Sequence, residues 1–380
     1  MRRKQLGLAL LSAALTLLLT GCFVKTVDEL YTLPRHSDEY DRLELAIDAV
    51  LSGQSAVYSA PVSGPNQQSV QLADLDGDGM DEAIAFLKAA GDKPLRACIF
   101  SHADGDYHLT DVIEGDGTSF ASVEYVQLTD RPGIELVIGW QLSTDVLQSL
   151  GAYSYADGHV SELMNANYSE YRVADLDSDG QKDIFILRFD AEQPQGVAEL
   201  YHWKDGQLER KPEAYLTAGA SQVKRILSGN LMKDVPAVFV ASAYENNSLV
   251  TDVFAFQDGT FRNVTAHEAE SAVSTVRSYY VYAADIDEDG LIELPQILPL
   301  PTAEGSDEND AAISWYNLDM EGRSLPKLTT YHSFSGGWFL KLPDSWQNQF
   351  CITRSAETDG VRGYAFSQWK NGRRGDLIFT

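Results

Sequence analysis

The chain has 380 residues, with 29 Lys and Arg against 56 Asp and Glu, for a formal charge of −27. That balance excludes nucleic acid as a partner, because phosphate binding needs a basic footprint, and it excludes adsorption to anionic lipid through a polybasic face. A hydrophobic content of 44% is that of a folded protein, so the acidity does not signal disorder. Length allows two or three average domains or one large all-β domain, and 29 Gly with 18 Tyr favour the latter.

Residues 1–21 read as a targeting segment. Arg2, Arg3 and Lys4 form a positive start, and Leu6 to Leu19 is a nearly unbroken apolar run. The run ends in Leu19-Thr20-Gly21-Cys22, which resembles the lipobox of bacterial lipoproteins. The resemblance implies cleavage before Cys22, diacylation of its sulfur, and a protein held on the extracytoplasmic face of a cell membrane. The alternative is an uncleaved membrane anchor with an incidental cysteine. Cys98 and Cys351 each sit in an apolar strand-like run and are expected as buried free thiols, with a disulfide as the alternative.

Residues 22–69 are a tether and one amphipathic helix. Tyr40, Leu43, Ile47, Val50 and Leu51 share a helical face, Ser37 starts the element, and Gly53 stops it. Ser59 to Gln68 is a connector rich in Pro, Gly, Ser and Gln.

From residue 70 to 331 the sequence repeats. Asp74-Leu-Asp76-Gly-Asp78-Gly79-Met-Asp-Glu82 returns as Asp175-Leu-Asp177-Ser-Asp179-Gly180-Gln-Lys-Asp183, and again as Asp285-Ile-Asp287-Glu-Asp289-Gly290-Leu-Ile-Glu293. An apolar strand follows each. Two further units fill the gaps: Gly133-Ile134-Glu135 precedes Leu136 to Gly139, and Val235-Pro236-Ala237 precedes Val238 to Val240. The ninth loop position then falls at 82, 135, 183, 237 and 293. Asp-Gly pairs at 104, 157, 205 and 258 follow it by 22, 22, 22 and 21 residues, and Asp-Gly between alternating apolar stretches is a preferred hairpin turn. In the fifth unit Glu321-Gly322 stands in that place, displaced by an acidic insertion at Glu304 to Asp310. Four-stranded units repeating about every 50 residues predict an all-β chain, a β-propeller with five recognisable four-stranded blades.

Alternate carboxylates with a Gly at the sharp turn suit a hard cation of flexible coordination, which outside a cell means Ca²⁺. Position 12 is Ala85, Ile186 or Gln296, which excludes the EF-hand and its bidentate Glu. The acid at position 9 and the β-type flanks resemble the FG-GAP/VCBS propeller repeats of integrin α-subunits. That family binds Ca²⁺ through loop positions 1, 3, 5 and 9 and a backbone carbonyl at 7. The ligands it implies are Asp74, Asp76, Asp78 and Glu82; Asp175, Asp177, Asp179 and Asp183; and Asp285, Asp287, Asp289 and Glu293. About three calcium sites, structural in role, are expected. The units at 127–135 and 229–237 depart from the pattern and are expected to be metal-free.

No His-x-x-x-His pair, Gly-x-Ser-x-Gly elbow or phosphate-cradling Gly loop occurs. His102 and His202 stand at nearly equivalent strand positions, which reads as repeat-related packing. Trp140, Tyr153, Tyr155, Tyr201, Trp203, Trp315 and Tyr316 could stack on sugars, but they alternate within strands and are expected between blades. Residues 332–380 break the repeat and form a small β-rich segment, either a sixth blade or, as the preferred reading, the start of a separate small domain. The expected function is a non-catalytic module that binds an extracellular protein or glycan. An extracellular carbohydrate-active hydrolase is the alternative, since glycoside hydrolysis needs only two spaced carboxylates.

Overall fold

The computed structural model describes residues 38–142, 148–190, 195–266, 274–278, 281–302, 310–334, 336–346, 349–355 and 362–380. Cys22, its leader and most of the acidic insertion at 304–310 lie outside the described residues. Among these no helix is long and apolar enough to cross a membrane.

The described residues are all-β apart from one α-helix, α1 (Asp38–Gln54), and two short 3₁₀ turns. Asp38, Glu39 and Asp41 occupy the first turn of α1, where carboxylates meet the positive end of the helix dipole. Leu43 and Ile47 are buried, with Ala46, Val50 and Leu51 beside them. Tyr40, expected on this face, is half exposed.

Among the described residues six antiparallel sheets follow in chain order, and in each sheet the strands pair mostly with their sequence neighbours. The first holds β2 (Val70–Ala73), β3 (Glu82–Lys88), β4 (Leu95–Ala103) and β5 (Asp106–Gly115), and β1 (Val57–Tyr58) pairs with the end of β3. The second holds β6 (Ser119–Val126), β7 (Glu135–Gln141), β8 (Gln148–Ala156) and β9 (His159–Tyr168). The third holds β10 (Glu170–Ala174), β11 (Asp183–Arg188), β12 (Val197–Lys204) and β13 (Gln207–Arg210), with β14 (Ala214–Tyr215) on β12. The fourth holds β15 (Val223–Met232), β16 (Val235–Tyr244), β17 (Ser248–Gln257) and β18 (Thr260–Asn263). The fifth holds β19 (Leu294–Pro299), β20 (Ala311–Leu318), β21 (Ser324–Ser333) and β22 (Trp338–Leu342). Its leading strand is reduced to one bridge, Ala284 to Glu293. The sixth has three strands, β23 (Phe350–Arg354), β24 (Tyr364–Lys370) and β25 (Arg373–Phe379).

The Asp-Gly hairpins form as expected. Asp104, Asp157, Asp205 and Asp258 have φ between 50° and 55°, and each following Gly is also at positive φ. Two successive left-handed residues give the turn whose twist matches the flanking strands.

The second strand of each of the first three sheets is buried along almost its whole length, because both faces are covered. Ile84 and Phe86 of β3 pack on Phe120, Ile138 and Trp140 of the second sheet. On the opposite face Ala83, Ala85 and Leu87 meet Leu43 and Ile47 of α1, so the helix occupies the place a preceding sheet would take. The same stacking continues down the chain. Val137 and Leu150 meet Ile184 and Ile186, Phe185 and Leu200 meet Val238 and Phe254, and Phe239 and Val253 meet Leu294 and Tyr316. Each buried Phe or Leu contributes about 1.5–3 kcal/mol.

The fifth sheet runs past residue 331, because β22 pairs with β21 from Thr329–Leu342 to Ser333–Trp338. The sixth sheet shares a core with the fifth, Phe350, Ile352 and Phe366 packing on Tyr331 and Leu342. Cys98 and Cys351 are buried free thiols, and burial pushes the Cys98 thiol up to about 11.

Candidate metal loops at the strand junctions

Each acidic loop joins the leading strand of a unit to the second strand. In the first, Asp74 accepts from the amides of Gly77 (2.8 Å) and Gly79 (3.0 Å), Asp76 from Asp78 (3.1 Å), and Asp78 from Met80 (2.7 Å). These bonds close the loop on itself and bring oxygens of Asp74, Asp76 and Asp78 within 4.8 Å of one another. The second loop repeats the plan. Asp175 accepts from Gly180 (3.1 Å), Asp177 from Asp179 (3.1 Å) and Asp179 from Gln181 (2.7 Å), and the three carboxylates converge in the same way. In the third, Asp285 accepts from Asp289 (3.0 Å) and Gly290 (2.9 Å), and Asp289 from Leu291 (3.0 Å). Asp285, Asp287 and Asp289 again cluster.

The ninth position has a second duty that recurs in four sheets. Glu82, Glu135, Asp183 and Glu293 are all buried. Each accepts the amide of the residue seven places earlier: Leu75 (3.0 Å), Leu128 (2.7 Å), Leu176 (2.8 Å) and Ile286 (3.0 Å). A buried amide without a partner costs about 1–3 kcal/mol, so the acid holds the loop entry whether or not a metal is present. Glu135 does this in a loop without the aspartates, and also accepts the Thr129 hydroxyl at 2.5 Å. In the fourth sheet the loop shrinks to Lys233-Asp234, and Ala237 pairs with Ala255, an apolar pair in place of an acid and its partner.

Across the ladder the ninth residue faces the third strand of its sheet. Its partner there is Ser101 for Glu82 (3.3 Å), His202 for Asp183 (3.0 Å) and Asn317 for Glu293 (2.8 Å). The first two partners lie 19 residues after the acid, three before the Asp-Gly turn, a spacing readable in the sequence. Ser101, not His102, is therefore the counterpart of His202. His102 points to the other face, edge-on to Tyr107 at 5.3 Å. His202 Nδ1 also lies 3.5 Å from Asp177 Oδ2.

The three loops differ in charge balance. Burial raises the pKa of Asp76 and of Asp177, with their loop neighbours adding to it, and pushes Glu82 up to about 6. Asp175 Oδ1 is buried without a hydrogen-bond partner. An orphaned carboxylate oxygen facing other carboxylates fits a bound cation, and all donors here are hard oxygens. In the third loop the Lys327 ammonium already contacts Asp289 Oδ2 and lies 3.5 Å from Asp287 Oδ2. The pKa of Asp289 is lowered, chiefly by the hydrogen bond from Lys327. Lys327 is the extra residue of a β-bulge, for Trp315 pairs with Leu328 and Tyr316 with Pro326. Thr110 holds the same place in the first sheet and Leu163 in the second. A bulge re-aims its side chain, and here it sends a cation into the loop. The donors of all three loops could hold a divalent ion, and in the third Lys327 competes for the same oxygens.

No protein-family model matches the chain, and no curated protein matches it. Among solved structures it is similar to a rhamnogalacturonan lyase of Bacillus licheniformis, at 11% identity over 86% of this chain and 72% of that one, with a TM-score of 0.32. It is also similar to Sqt1 of Chaetomium thermophilum, at 12% identity over 82% and 72% with a TM-score of 0.33. An exo-β-1,3-galactanase of Phanerochaete chrysosporium aligns at 10% identity over 82% and 77%, with a TM-score of 0.27.

Proposed function

We propose that the protein is a membrane-anchored extracytoplasmic lipoprotein whose stacked sheets form a calcium-stabilised β-propeller of the FG-GAP/VCBS kind. It acts as a non-catalytic module that binds a protein or glycan. The observation that carries this reading is the register of the acidic clusters. Three Asp triads sit at the same strand junction of different sheets, each above a buried acid that clamps the loop entry. Calcium in the first two loops would bind Asp74, Asp76, Asp78 and Glu82, and Asp175, Asp177, Asp179 and Asp183. The ion would neutralise oxygens that now repel one another and fix the leading strand to the second. Asp285, Asp287, Asp289 and Glu293 become available only when Lys327 leaves. The anchor follows from Cys22 and the apolar run before it. Recognition is assigned to the loops that such a rigid stack presents along its rims.

Calorimetric titration of chelated protein with Ca²⁺ tests the metal part, and two sites with a raised thermal midpoint are expected. A midpoint indifferent to chelator would refute it. Cys22→Ser should abolish detergent-phase partitioning, and unchanged partitioning would remove the anchor. Retention on immobilised polysaccharides without reducing-end release is the expected behaviour of a binding module. Release abolished by a single Asp or Glu change outside the loops would establish a hydrolase instead.

A further inference from the structure

The second acidic loop differs from the first in having an imidazole beneath it. His202 and Asp183 are both more than nine-tenths buried. His202 Nδ1 lies 3.0 Å from Asp183 Oδ1 and 3.5 Å from Asp177 Oδ2, and ligand atoms of Asp177, Asp183 and His202 all fall within 4.8 Å of one another. In the first and fifth sheets Ser101 and Asn317 stand at this place. Neither offers the aromatic nitrogen that borderline divalent ions favour. The imidazole has its position fixed from two sides. Asp183 is held by the Leu176 amide through its other oxygen, and the His202 ring packs on Phe256 at 5.3 Å.

The cluster opens on a cavity of about 440 Å³, lined by Asp179, Lys204, Lys211, Asp234 and Phe256 among others. Three protein donors and an open side describe a site that leaves room for water or a ligand on the ion.

We propose that Asp177, Asp183 and His202 form a site for a borderline divalent ion of the Zn²⁺ class, making the second loop a mixed nitrogen and oxygen site while the first remains oxygen-only. The inference rests on the reading of the second loop as a metal loop, and extends it in metal class. A metal at His202 takes the Nδ1 lone pair of the neutral imidazole, whose single proton then sits on Nε2, and no covalent bond of the chain is made or broken.

Co²⁺ is a direct probe, because its visible absorption reports nitrogen ligation and tetrahedral geometry. The full mature chain, stripped with chelator, is titrated with Co²⁺ and then with Zn²⁺, without added Ca²⁺, and compared with His202→Ser and His202→Asn. Both replacements are residues that this chain carries at the same register, so each is compatible with the ladder, and circular dichroism checks that they fold. One Co²⁺ band displaced by stoichiometric Zn²⁺ is expected in the native chain, with at least a hundredfold weaker Zn²⁺ binding in both variants. Ca²⁺ isotherms recorded in parallel separate the two readings. Zn²⁺ binding that needs His202 without any Ca²⁺ binding would sink the calcium loops and keep this site. Ca²⁺ binding with Zn²⁺ affinity equal in all three proteins, or with none, would overturn the His202 site alone.

Discussion

The Leu128 amide donates to Glu135 Oε2 across 2.7 Å, in a loop that has none of the aspartates of its relatives. The Thr129 amide (3.3 Å) and hydroxyl (2.5 Å) bond the same carboxylate. The acid at the ninth position is thus retained where no metal cluster exists. Its structural duty to the loop entry is separable from metal binding. Glu135→Ala leaves buried donors unpaired and should cost about 2–3 kcal/mol of stability, to the same extent with Ca²⁺ or with chelator. Glu82→Ala should show a larger loss in Ca²⁺ than in chelator, because it removes both duties. Urea midpoints under the two conditions decide it, and a chelator-dependent cost for Glu135→Ala would join the two roles again.

Lys327 makes the third loop the odd member. Its ammonium touches Asp289 and reaches Asp287, and the lowered pKa of Asp289 shows a carboxylate already compensated. Lys327→Met should therefore add one Ca²⁺ site to the native count in calorimetry. In chelator the same variant should lose about 1 kcal/mol or less, since the pair is partly exposed. An unchanged site count would show that the ammonium does not occupy the place of a cation.

The strands and their order were legible because the repeat offers two independent markers, the ninth-position acid and the Asp-Gly turn. Both are local chemistry: a carboxylate that bonds an amide seven residues back, and left-handed residues at a hairpin. Lys327 was not legible, because only a β-bulge between Pro326 and Leu328 turns it toward a loop 38 residues away. His202 was visible but matched to His102, one residue out of register, and in a strand one residue reverses the face. Periodicity assigns Tyr40 to the buried face of α1, yet it is half exposed, because the buried stripe begins at Leu43 and before it the helix meets the first sheet through polar contacts, the Tyr107 hydroxyl to Glu39 (3.2 Å) and Arg42 to Asp106 (3.7 Å). The helix itself covers a sheet face that the repeat pattern alone would assign to another sheet.

Several phenols are packed between sheets, and burial pushes Tyr153, Tyr168, Tyr201, Tyr316 and Tyr331 up to about 12. For an acid whose pKa is raised on folding, the native state binds more protons than the unfolded state between the two values. Stability therefore falls as pH rises through about 10, the ordinary value for Tyr, towards about 12. Absorbance at 295 nm should rise in two stages, a reversible one from exposed phenols and a later one that coincides with loss of β-sheet dichroism. A single reversible stage near pH 10 covering all 18 Tyr would show that these rings are open to solvent.

Gly77 and Gly133 bring the loops of the first two sheets into backbone contact. A Cβ on Gly133 would lie 2.2 Å from the Leu75 carbonyl oxygen, and one on Gly77 would lie 2.4 Å from the Gly133 nitrogen. Both obstacles are main chain, so neither can rotate away. Gly79 has a similar left-handed φ, +90° against +87° for Gly133, but open space around its Cβ position. The comparison isolates crowding from backbone strain. Gly79→Ala should cost about 1–2 kcal/mol, the strain of a left-handed residue with a side chain. Gly133→Ala adds a clash against the loop that carries Asp74, Asp76 and Asp78, and should cost about 3 kcal/mol or more. It should also weaken Ca²⁺ binding at the first loop, because relief of the clash moves Leu75, the residue whose amide is clamped by Glu82. Equal costs for the two variants in urea denaturation would mean that the loops do not touch, and that the first two sheets are joined through their core, Phe86, Phe120 and Trp140 among others, and not at the loops.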